Sequence, residues 1–170
     1  MEILPAEVIQ EIDRLRSIPD ETGRLPDDSI LPVLAALSCA GFKIRKSYGG
    51  STQLKKSPWV EIESPEAPEL LKKMQDGAHS GPEFAENRKQ LWQANHKEAV
   101  RLQALLNKFY ESHSTTYTIM LILETRGPGY IRLAPNTSSF NDGDDFAEWL
   151  KQVQEETNRF AMFLARSNTI

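Results

Sequence analysis

Hydrophobic spacing along this chain changes period several times, and the order of the changes limits what it can fold into. Val8, Ile12 and Leu15 recur at helical spacing behind Pro5, which suits a first helical position. A turn-rich stretch, residues 19–28, precedes a second helical stripe of Ile30, Val33, Leu34 and Leu37, with Asp28 or Ser29 as its expected cap and Gly41 as its left-handed stop. Beyond Gly41 the period becomes two. Phe42 and Ile44 point one way and Lys43 and Arg45 the other, and Trp59 to Glu63 repeats the habit with Val60 and Ile62 inward and both glutamates outward.

Residues 64–82 read as a surface connection with a short helix at 66–75, and Pro82-Glu83 opens a long helix over 83–112. Its carboxyl half carries the stripe Ala99, Leu102, Leu106 and Phe109. Its amino half is polar apart from Phe84, Leu91 and Trp92, which leaves it to break, to protrude or to pair with another chain. Tyr117 to Leu123 is apolar on both faces and is expected as a central strand. Arg126 to Gly129 forms a turn, Tyr130 to Leu133 returns with Arg132 outward, and a last helix begins at Asp145, with Glu148 completing a capping-box pattern. The order α-α-β-β-α-β-β-α predicts an α+β two-layer sandwich: a four-stranded, mainly antiparallel sheet covered by helices, with strand order open.

At 170 residues the chain suits one domain, residues 1–170, with a core that needs no staples. The single cysteine, Cys39, excludes an internal disulfide and is expected as a buried, inert thiol in a reducing compartment. The acidic start and the lack of a long apolar run make a cytoplasmic location the expectation, with no membrane partner.

Candidate chemistry is sparse. His79, His96 and His113 form no metal-ligand pair, and His113 is expected simply to complement a helix dipole. A calcium-loop register that puts Gly143 sixth puts Trp149 twelfth, where a carboxylate is needed, so the run 141–145 is read as helix capping. No GxSxG, Walker or dinucleotide motif is present, so neither a catalytic set nor a cofactor is predicted.

What remains is the stretch from Lys43 to Trp59. Lys43, Arg45, Lys46, Lys55 and Lys56 lie there without an acidic residue, in a chain of net charge −4. With Tyr48, the pair Gly49-Gly50 and Trp59, they form the candidate binding residues. The cations suit a phosphate, a nucleic acid or an acidic protein, and Tyr48 is placed to stack on a base. Solvation of an exposed strand edge is the competing explanation.

Ser47-Tyr48-Gly49-Gly50-Ser51 followed by Pro58-Trp59-Val60-Glu61-Ile62 resembles the pattern S-C-x-G-H then P-[WY]-V-x-[IF] of small uncharacterised bacterial and phage proteins. Leu105-Leu106-x-x-Phe109-Tyr110 and Gly129-Tyr130-x-Arg132-Leu133 fit the same pattern. A similar S-C-S-G element with a downstream tryptophan strand occurs in the wybutosine-synthesis methyltransferases that act on tRNA. The cysteine and histidine positions are Tyr48 and Ser51 here, so the resemblance implies the topology more than an activity. Three readings stand: a non-catalytic domain binding a protein or anionic ligand at the 43–59 hairpin, an RNA-modifying enzyme or its degenerate relative, and a homodimer built on the 83–112 helix.

Overall fold

A computed structural model describes residues 4–128, 130–137 and 145–167. The chain runs α1 (Ala6–Leu15), α2 (Leu31–Cys39), β1 (Lys43–Tyr48), β2 (Trp59–Glu63), α3 (Ala67–Asp76), α4 (Pro82–Ser112), a 3₁₀ turn (Tyr117–Ile119), β3 (Leu121–Thr125), β4 (Ile131–Pro135) and α5 (Phe146–Ser167). The strands form one antiparallel sheet in the order β1-β2-β4-β3. This is the α+β architecture that the periodicities predict.

Register decides what each face carries. Val60 pairs with Leu133 and Ile62 with Ile131, so these four side chains share one face. They join Ile30, Leu34 and Leu37 of α2, Leu102, Leu106 and Phe109 of α4, and Phe160 and Leu164 of α5 in a single buried cluster. The apolar stripes of three helices and one sheet face are thus satisfied together. Gly41 adopts φ +79°. Its N–H bonds to Ser38 O, and Phe42 N–H bonds to Leu37 O at 3.0 Å, closing α2 as its sequence predicts.

Four local expectations are corrected. β3 lies at the sheet's edge and begins at Leu121, because Tyr117–Ile119 coils into a 3₁₀ turn that packs Ile119 against Trp149, Leu150 and Val153. Its second apolar face therefore does not require a central position. Neither Asp28 nor Ser29 caps α2: Ile30 holds the cap position, and the Asp28 carboxylate is drawn to Arg16. Cys39 is exposed on α2, not buried. Partial burial, with Glu11 and Glu7 nearby, raises its pKa, which disfavours the thiolate. Finally, Glu61 and Glu63 face away from the core yet are 2% and 8% exposed, so this sheet face is not a wet one.

The long helix is continuous over its 31 residues. One face of its amino half is met by α3, and Ala67, Leu70 and Leu91 form a separate buried cluster. Trp92 and Val100 remain exposed on α4. Among the described residues no helix is long and apolar enough to cross a membrane.

Candidate functional site

The basic stretch folds into a hairpin whose geometry turns on one irregularity. Ile44 pairs with Ile62 and Lys46 with Glu61, so Arg45 is an extra residue and forms a β-bulge. The bulge shifts parity: Lys46 and Tyr48, which strict alternation would send to the core, join Lys43 and Arg45 on the opposite face. Four of the nine candidate residues are thereby gathered above the outward side chains of β2.

Most of their charge is consumed there. Glu61 receives Arg45 Nη1 at 3.1 Å and, from β4, Arg132 Nη2 at 2.5 Å. Arg45 also reaches Glu21 at 2.9 Å, and Lys46 meets the same Glu21 oxygen at 2.8 Å. Lys43 pairs with Glu63 at 3.0 Å. The guanidinium groups of Arg45 and Arg132 lie over the rings of Tyr130 and Trp59, at 4.4 and 4.3 Å from the ring centroids. A carboxylate forked by two arginines, each stacked on an aromatic ring, is a satisfied structural network. Lys43, Arg45 and Lys46 are each paired with a carboxylate of the chain.

Tyr48 is likewise occupied. It is only 9% exposed, packs 6.2 Å from Trp59, and has Arg24 over its ring at 5.2 Å. It is not placed to stack on a base, which corrects the expectation for it. The glycine pair is a docking element. Gly49 N–H donates to Asp27 at 2.7 Å, and its carbonyl accepts from Gln154 of α5. A Cβ at Gly49 would fall 2.6 Å from Asp27 Cβ; one at Gly50, where φ is +87°, would fall 2.7 Å from Leu150 Cδ1. Backbone and helix approach too closely here for any side chain.

Lys55 and Lys56 differ. They sit at the hairpin tip, where Ser51 and Lys56 exchange two backbone hydrogen bonds, of 2.9 and 3.0 Å. Both are exposed, and neither makes an ion pair with the described residues. Together with Trp59, Arg132, Phe146 and Trp149 they line a groove of about 440 Å³. Trp149 is anchored by its indole N–H to Thr118 O at 3.1 Å. Asp145 Oδ1 accepts from the N–H groups of Ala147 and Glu148, so the start of α5 beside the groove is already capped. The rest of the acidic run, 141–144, lies outside the described residues.

Lys55, Lys56 and Trp59 are among the candidates singled out from sequence, whereas Arg132, Phe146 and Trp149 are not. They arrive from a distant strand and helix, and only Arg132 carried a hint, as the outward cation of its strand. No group of histidines, cysteines and carboxylates among the described residues is suited to a metal. No family model, curated protein or solved structure matches the chain.

Proposed function

We propose that the protein is a non-catalytic binding domain whose site is the groove at the hairpin tip, and that its ligand is a small anion bearing a flat apolar part. The single observation that carries this reading is the pairing pattern. Three of the five cations of the hairpin are engaged by Glu21, Glu61 and Glu63, while Lys55 and Lys56 are left facing a groove with two tryptophans. The groove's volume falls in the range of about 300–1,000 Å³ usual for small-molecule sites. Ammonium groups supply charge without fixed geometry, and Trp59 and Trp149 supply flat apolar surface.

Two of the chain's three tryptophans line the groove, so intrinsic fluorescence reports on it. Titration with adenosine monophosphate, inorganic phosphate and bulk tRNA is expected to quench that fluorescence saturably with the nucleotide and more weakly with phosphate. Joint substitution Lys55→Glu and Lys56→Glu is expected to lower the affinity at least tenfold and to flatten its salt dependence, whereas Lys43→Glu leaves it near wild type. Flat titrations with all three probes would remove the anion reading. Tight binding of tRNA alone would favour an RNA-directed protein instead.

A further inference from the structure

A second cleft, of about 450 Å³, lies where the carboxyl end of α4 meets the carboxyl half of α5. Phe109, Met162 and Phe163 give it an apolar lining, Arg159 and Glu155 bring charge, and His113 stands in its wall. The imidazole is held from two sides. Its ring stacks on Phe109 with centroids 4.8 Å apart, and Nε2 lies 2.8 Å from Oε2 of Glu156. Glu156 is 0% exposed; Arg159 Nη1 lies 3.5 Å from the same oxygen, and the Tyr110 hydroxyl interacts with the carboxyl group.

Closing a helix end does not need this arrangement, since an exposed histidine complements a dipole as well. Taking a carboxylate wholly out of water costs several kcal/mol, and an apolar residue at position 156 would pack without that cost. What Glu156 does supply is a carboxyl group directly behind the imidazole. The tautomer that donates from Nε2 to this carboxyl group leaves Nδ1, which has no hydrogen-bond partner among the described residues, as the acceptor.

We propose that this cleft binds an aromatic weak acid of the phenol class and that His113 accepts its proton. The phenol O–H bond breaks, an N–H bond forms at Nδ1, and the electron pair stays on oxygen as a phenolate. Glu156 then balances the imidazolium and Arg159 the phenolate, while the ring of the ligand lies against Phe109, Met162 and Phe163. The remaining ionisable groups facing this pair are Tyr110 on α4 and Glu155 and Arg166 on α5. Tyr110 takes no part in the transfer: its hydroxyl accepts the Leu121 N–H at 2.7 Å, and burial raises its pKa.

The probe is p-nitrophenol, whose phenolate absorbs visibly, used at a pH where the free compound is mostly protonated. Wild-type protein is expected to raise the phenolate absorbance saturably. His113→Gln and Glu156→Gln are expected to abolish the rise, and Arg159→Ala to cut it several-fold. The joint variant Lys55→Glu and Lys56→Glu is expected to keep it. No saturable rise with wild type overturns the proposal. So does a rise that survives in folded His113→Gln, or one lost only with the two lysines, which would assign the phenolate to the hairpin groove. Should His113→Gln fail to fold, the imidazole NMR signals of wild type decide: His113 is expected to move toward the imidazolium position on adding p-nitrophenol, while His79 and His96 stay. Three unmoved signals would sink the idea.

Discussion

Glu61 is a carboxylate that the chain has removed from water and surrounded with two guanidinium groups, from β1 and β4. Such a group stabilises only while both partners are present, because either charge left alone keeps its desolvation cost. Glu61→Ala is therefore expected to destabilise the fold by about 3 kcal/mol, read from urea unfolding. Glu11 acts differently. Its carboxylate accepts from Arg14 and from Ser38 of α2, the latter at 2.6 Å, tying α1 to α2. The Arg14 hydrogen bonds, against some opposing desolvation, and the Ser38 bond hold its pKa below the ordinary 4.5. A depressed folded-state pKa means that the stabilisation is complete above the unfolded value and disappears as pH falls through the lower folded value. Glu11→Gln should therefore flatten the acid limb of a stability-versus-pH curve below about pH 5 and leave the slope at neutral pH unchanged.

At the scale of elements, the hairpin is pinned by its glycines and re-aimed by its bulge. Gly50 combines a left-handed backbone with a Leu150 side chain where its own Cβ would sit. Gly50→Ala is expected to cost more than the roughly 1 kcal/mol of the conformational term alone. Because the hairpin would lift from α5, it should also weaken binding in the Lys55–Trp149 groove. Loss of stability with groove affinity intact would separate the loop from the site. The bulge explains why Lys46 and Tyr48 share a face with Lys43 and Arg45: one inserted residue moves every later side chain to the other face. No spacing rule announces it, since Arg45 and Lys46 share a sign and a size class.

At the scale of the molecule, the described residues form one large cluster under the sheet and three smaller ones, of which one lies between α3 and α4. This last cluster rests on few side chains, so it should open at lower free energy than the sheet core. Leu91, wholly buried there, is a direct test. Leu91→Ala is expected to cost about 2–4 kcal/mol locally and to accelerate amide exchange across α3 and the amino half of α4. The sheet and α5 should keep their protection. Uniform acceleration across the chain would mean that the two clusters unfold as one.

Sequence alone determined the element order, the α+β class, the core stripes and the left-handed close of α2, because each follows from local periodicity or from one residue's conformational freedom. It also located the reversal of charge that leads to Lys55, Lys56 and Trp59. Tertiary structure alone decided which of the five cations are available, since their partners Glu21, Glu61 and Glu63 are selected by strand register and by a loop that folds back over β1. It also assembled Arg132, Phe146 and Trp149 beside the hairpin tip, and His113 beside Glu156, from segments far apart in the chain. Ion pairing depends on distances of a few ångströms across non-local contacts, and hydrophobic spacing along a chain carries no information about those.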